Sequence, residues 1–223
     1  MTNKPVDKLN NPVDSPIFTT EIINNTDVKR LENVGDVYLF GPKLGMGEFG
    51  TIREVIEIRT NKTFAMKLIP LYDFKRNFHN IMKEINILLD LTNIRDNLST
   101  GSFNLSTGSF NLSPCYYDYF IIELDEDYIA ILMEMIDGYT LQDIVDRKMS
   151  KTSKPYLSKQ LFLTISLWLF SAIRQIHSLD IVHRDIKNSN IMVERDSDKL
   201  VLIDFGFACY LKPSNGFKCE LKA

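Results

Sequence analysis

Two short strings, HRDIKNSN at 183–190 and DFG at 204–206, constrain this chain more than any other feature, and each follows an apolar stretch. The pattern HRDxKxxN fixes five positions, and a chance match in a chain this long is on the order of one in ten thousand. The residue types also agree in chemistry. A site that handles a transferring phosphoryl group needs one carboxylate to accept a hydroxyl proton and other groups to hold Mg²⁺ against a polyphosphate. Asp185, Asn190 and Asp204 carry suitable groups.

Upstream, LGMGEFGTI sets Gly45, Gly47 and Gly50 in a G-x-G-x-x-G-x-V pattern with Ile52 in the last place. Alone, such a pattern reads equally well as a β-turn or a dinucleotide loop. Here β-branched and charged residues follow it, TIREVIEIRT, so the glycines sit between two strands rather than opening a helix. That favours a flap over phosphates. Next comes FAMKLI with Lys67, and then Phe74, Phe78, Ile81, Met82, Ile85, Leu88 and Leu89 at helical spacing. Glu84 lies beside that apolar stripe, where a carboxylate is costly unless paired, and Lys67 is the obvious cation.

In this order the strings resemble those of eukaryotic-type serine/threonine protein kinases, from about residue 37 onward. The resemblance implies an α+β, two-lobe fold: a small antiparallel β-sheet lobe with the family's C helix over 37–133, then the hinge and an incomplete, mainly helical large lobe over 134–223. It implies ATP and Mg²⁺ as cofactors and transfer to Ser/Thr hydroxyls of a protein substrate. Asp185 matches the catalytic base and Lys187 the residue at the γ-phosphate, a lysine that points to serine/threonine rather than tyrosine specificity. Asn190 and Asp204 match the Mg²⁺ ligands. Gly45, Gly47, Gly50 and Ile52 match the phosphate flap, and Lys67 with Glu84 the pair that positions the α- and β-phosphates. Within YIAILMEMIDGYTLQDIV, Met133 matches the gatekeeper, and the backbones of Glu134 and Ile136 match the adenine hinge, although an ordinary strand and turn explain that composition equally well. Leu44, Ala65 and Met192 match the apolar sandwich around adenine. Arg184 matches the arginine that pairs with a phosphorylated activation loop in many members; its alternative is a structural salt bridge.

Two other readings stand beside this one. A small-molecule kinase shares the lobe plan but commonly lacks the whole HRDxKxxN string and the phenylalanine of DFG. A non-catalytic nucleotide-binding or interaction fragment is the other, because only seventeen residues follow DFG and no A-P-E is among them. On the resemblance, the chain breaks off within the activation segment, with Ser214 the only Ser or Thr after DFG.

Composition narrows the rest. With 44% apolar and 25% charged residues the chain reads as globular, and a net charge of −3 gives no argument for nucleic acid or a membrane surface. Cys115, Cys209 and Cys219 lack metal spacing and fit a reducing interior with free or buried thiols, hence an intracellular location, cytoplasmic or nuclear. The polar amino terminus reads as no signal peptide. LFLTISLWLFSAI at 161–173 is too short to span a bilayer and reads as a buried helix, with Trp168 and Phe170 in the core. Residues 1–36, rich in Asn, Asp, Thr and Pro, read as a disordered extension. LSTGSFN at 98–104 repeats at 105–111, and its Gly, Ser and Asn cannot make an apolar seam, so about 96–114 reads as a flexible insert. The N-x-S/T triplets at Asn97, Asn104 and Asn111 matter only in a secreted protein.

Overall fold

The computed structural model describes residues 15–47, 49–100, 112–151, 159–195 and 199–211. Seven strands form one sheet: β1 (Phe18–Ile23), β2 (Thr26–Leu31), β3 (Tyr38–Met46), β4 (Thr51–Glu57), β5 (Lys62–Pro70), β6 (Tyr116–Glu123) and β7 (Asp127–Glu134), in the order β1-β2-β6-β7-β5-β4-β3. Alternation along the strands gives each face its own core. On β5, Met66 and Leu68 join Val55, Phe120, Ile122, Ala130 and Leu132 on one face. Ile69 joins Ile129, Ile131 and Met133 on the other, which α3 (Phe78–Thr100) covers with Ile81, Ile85, Leu88 and Leu91. Lys67, between Met66 and Leu68, therefore shares the face of α3.

Several expectations change in the structure. The extension expected to be disordered over 1–36 is ordered from residue 15, while 1–14 lie outside the described residues. Asn24 and Asn25, with φ of 48° and 61°, make the two-residue turn that right-handed strand twist prefers, joining β1 to β2 with Ile23 opposite Thr26. The hairpin then adds to the sheet through β2, which runs parallel to β6 with Arg30 opposite Ile121, so the sheet is mixed rather than antiparallel. Arg30 fastens the junction, donating to both carboxylate oxygens of Asp127 at 2.9 and 2.8 Å and also to Glu21. Those hydrogen bonds, with Asp127 foremost, hold its pKa well above the ordinary guanidinium value.

Secondly, the helix expected over 74–89 is two helices: α2 (Leu71–Arg76) closes at Asn77, and α3 runs from Phe78 through the first residues of the repeat. The remainder of the repeat, 101–111, is outside the described residues. Thirdly, the cysteines are not all free thiols: Cys115 is free, whereas the buried Cys209 is disulfide-bonded. A four-residue helix, α1 (Val34–Val37), leads into β3.

The second lobe is built from β8 (Gly138–Thr140), α4 (Leu141–Lys151), α5 (Lys159–Ser178), β9 (Ile181–Val182), β10 (Ile191–Glu194), β11 (Leu200–Leu202) and β12 (Cys209–Tyr210). Helix α4 begins with a reciprocal cap: Asp143 Oδ2 accepts the Thr140 amide at 2.9 Å, and Thr140 Oγ1 accepts the Asp143 amide at 3.0 Å. On α5, Trp168, Ala172 and Ile176 recur every four residues and are buried. Phe170, expected in the core, is 73% exposed, and Phe162, Leu163 and Leu167 join it at the surface. Among the described residues no helix is long and apolar enough to cross a membrane.

Candidate active site

The sheet delivers Lys67 to α3, and the two charges meet: Lys67 Nζ stands 2.6 Å from Glu84 Oε1, with both side chains 3% exposed. The second carboxylate oxygen, Glu84 Oε2, is buried without a protein partner. The flap between β3 and β4 descends on the same ammonium. A side chain at Gly47 would begin 3.6 Å from Lys67 Nζ, and one at Gly50 would strike the Leu68 carbonyl oxygen at 2.1 Å. Only glycine at 50 allows this approach of backbone to backbone. Gly45 pairs with Ile52 across the flap.

Ala65 on β5 faces Met133 on β7, both buried, while Leu44 is 44% exposed and Met192 sits half-buried on β10 in the other lobe. The Glu134 amide is taken by the Cys115 carbonyl at 2.8 Å. Arg95 near the far end of α3 donates to both Glu134 carboxylate oxygens at 2.6 and 3.4 Å, tying the end of β7 to that helix. Ile136, just beyond, is buried.

The residues between β9 and β10 form a second constellation. Asp185 Oδ2 accepts Lys187 Nζ at 2.7 Å and Asn190 Nδ2 at 2.9 Å, and the same amide nitrogen bonds the Asp185 carbonyl at 2.9 Å. The Lys187 hydrogen bond, aided by Asn190, holds the Asp185 carboxyl below its ordinary value. Asn190 spends its NH₂ on Asp185, so its carbonyl oxygen is the atom left to face a cation. Asp204 has a left-handed φ of 62° and accepts the Gly206 amide on Oδ1 at 3.4 Å. Arg184, also left-handed at 63°, donates Nε to the Phe207 carbonyl at 2.6 Å and so bonds the segment after DFG through its backbone. Gly206 stands between Asp204 and the Lys67–Glu84 pair: a side chain there would begin 3.3 Å from Asp204 Oδ1 and 3.6 Å from Glu84 Oε2.

Two residues within the strings have organising positions that sequence reasoning passed over. His183 is 1% exposed, its Nε2 lies 3.2 Å from the Ile203 carbonyl, and its Nδ1 lies 3.3 Å from the Asp185 amide. That arrangement requires a neutral ring with the proton on Nε2. Phe205, 1% exposed, packs edge-on to His183 at 4.7 Å and enters the core that holds Ile81, Ile85 and Leu88. Their place in HRD and DFG was the available signal.

Burial lowers the His183 pKa from its ordinary value of 6.5. As pH falls below that value the unfolded chain gains a proton that the folded chain refuses, so stability should decline between pH 6.5 and the lower folded pKa. The depressed Asp185 carboxyl acts later, its contribution disappearing only as pH falls below about 3.8. Denaturant unfolding at pH 7.5 and 5.5 should show this loss (~1 kcal/mol or less), and His183→Gln should flatten it; an equal slope in the variant assigns the loss to other groups.

A family model described as protein kinase domain matches residues 38–221. The chain is 28% identical over 195 residues to serine/threonine-protein kinase RAD53 of Saccharomyces cerevisiae, an alignment covering 87% of this chain and 21% of that protein. It is 31% identical over 196 residues to calcium-dependent protein kinase 22 of Arabidopsis thaliana, covering 85% and 35% of the two. Calcium-dependent protein kinase 4 of Solanum tuberosum is 27% identical over 190 residues, with 83% and 29% covered. The chain therefore spans between a fifth and about a third of the length of these relatives.

Proposed function

The chain belongs to the protein kinase family, and from that premise we propose that it binds Mg·ATP between its lobes and transfers the γ-phosphoryl group to Ser/Thr hydroxyls of a protein substrate. The observation that carries this reading is the closed Lys67–Glu84 pair, beside which Gly206 brings Asp204, in a chain whose Asp185 is already bonded to Lys187 and Asn190. Each position has the group that phosphoryl transfer requires.

Lys67, fixed by Glu84, binds the α- and β-phosphates, and the glycine flap supplies backbone amides above them. Adenine lies between Leu44, Ala65 and Met192 beside Met133, and takes hydrogen bonds from the backbone of Glu134 and Ile136. Because the Glu134 amide is already engaged, its carbonyl is the group available to the base. Asp204 and the carbonyl oxygen of Asn190 are hard oxygen donors of the kind Mg²⁺ takes alongside phosphates, and they would hold the metal, which when bound neutralises the charge developing on the phosphates. Asp185 orients the acceptor hydroxyl and takes its proton. Lys187 is mobile enough to leave Asp185 for the transferring phosphoryl, since its side chain is 52% exposed. The protein acts in an intracellular compartment, where Mg·ATP is plentiful.

A second reading is a nucleotide-binding or interaction module without transfer; the observation in its favour is the exposed apolar face of α5. Incubating the purified chain with Mg·ATP and equal amounts of Ser, Thr and Tyr peptides, a sugar and an aminoglycoside decides among the readings. We expect label on Ser/Thr peptides. Label confined to a small molecule overturns protein phosphorylation, and nucleotide binding without transfer selects the module.

A further inference from the structure

The segment after DFG is clasped to α3 by one side-chain pair: Tyr210 Oη donates to Asp90 Oδ2 at 2.6 Å, joining positions 120 residues apart. Tyr210 is 4% exposed. Its strand β12 pairs antiparallel with β9, with Tyr210 opposite Ile181, and the next amide, Leu211, bonds the Asp180 carbonyl at 2.6 Å. β9 leads directly into His183 and Asp185. The phenol therefore stands on a strand anchored to the catalytic loop, and its partner stands on the helix that carries Glu84. Asp90 is six residues beyond Glu84, about 9 Å along the axis at ~1.5 Å per residue. Over so short a span a helix moves as a rigid rod, so a restraint at Asp90 limits both swing and rotation of Glu84.

We propose that Tyr210 and Asp90 are positioning residues: their hydrogen bond braces α3 against the catalytic loop and so keeps Glu84 on Lys67 for nucleotide binding. Neither residue touches the site directly. This rests on the kinase reading of that site. The chemistry suits a brace, because a hydroxyl on a carboxylate is a charge-assisted bond, strong and directional. Burial, reinforced by Asp90, raises the phenol pKa, so the donor keeps its proton across the physiological range. With Glu84 Oε2 lacking a protein partner, the carboxylate is hydrogen-bonded by Lys67 alone, and whereas Arg95 ties α3 to β7, the Tyr210–Asp90 bond ties it to the segment after DFG.

The test measures Mg·ATP affinity by calorimetry for the parent chain, Tyr210→Phe, Asp90→Ala and Asp90→Asn, and for Tyr210→Phe placed in a Glu84→Ala background. Tyr210→Phe and Asp90→Ala should each weaken affinity by roughly fivefold, and Asp90→Asn, which keeps an acceptor oxygen, by less. In the Glu84→Ala background Tyr210→Phe should change affinity by less than about twofold, since α3 then has no carboxylate to deliver. Equal losses in both backgrounds reduce the pair to ordinary packing and overturn the proposal, as does unchanged affinity in Tyr210→Phe. If Tyr210→Phe fails to fold, the difference between Asp90→Asn and Asp90→Ala decides. A folded parent that does not bind Mg·ATP at millimolar concentration overturns the kinase reading itself, a result separate from the comparison among variants.

Discussion

Replacing Asp185 with Asn is expected to cut phosphoryl transfer to a Ser/Thr peptide by about 10²- to 10⁴-fold while leaving Mg·ATP affinity within roughly threefold of the parent. Asparagine preserves volume but cannot take a proton from the acceptor hydroxyl. Lys187 and Asn190 both donate to the same oxygen, Oδ2, so the carbonyl oxygen of the Asn side chain can take that place and keep the loop in shape. On the proposed reading nucleotide contacts depend chiefly on Lys67 and Glu84, at the other constellation, so binding should survive. Steady-state transfer and equilibrium binding measured on the same preparation check both halves. Undiminished turnover would remove Asp185 from the role of base, and a parallel collapse of ATP affinity would make it a structural residue.

The second large effect concerns stability. Lys67→Met strands Glu84 with neither oxygen partnered in a site 3% exposed, and losing one member of a buried ion pair costs about 3–5 kcal/mol. Lys67→Met combined with Glu84→Leu removes both charges and should recover most of that loss, because an apolar pair of similar volume avoids the desolvation cost. Neither variant should bind Mg·ATP normally. Urea unfolding with nucleotide titration distinguishes the cases. A Lys67→Met chain as stable as the parent would mean that water reaches Glu84, and the buried pair would lose its structural importance.

What could be read from the residues was whatever chemistry fixes side-chain type at fixed spacing. The strings around Asp185 and Asp204 are legible for that reason, and the Lys67–Glu84 contact is legible because a carboxylate on an apolar stripe requires a cation. The hairpin of β1 and β2 was hidden by its Asn and Thr content, although Asn24–Asn25 is a strong two-residue turn; its buried residues are only Ile23 and Val28 on one face and Leu31 on the other. α3 continues into the repeat because neither Gly nor Pro interrupts LTNIRDNLST, and propagating a helix costs less than starting one. Phe170 misled because apolar character does not specify a face; two residues beyond Trp168 it points well away from the buried line. The Tyr210–Asp90 bond had no local signal, since a phenol records nothing in sequence about which distant carboxylate it will meet.

The parallel pairing of β2 with β6 also sets an order on how the chain can assemble as it is made. Arg30 finds Asp127 97 residues later, and at ~5–20 residues per second that partner leaves the ribosome roughly 5–20 seconds after Arg30 does. Until then the hairpin is a two-stranded unit with Ile23, Val28 and Leu31 uncovered, marginal by itself in water. Its docking must therefore be among the last steps of small-lobe assembly during synthesis, and slowing translation between residues 31 and 121 should prolong the interval in which a nascent-chain chaperone can hold those three side chains.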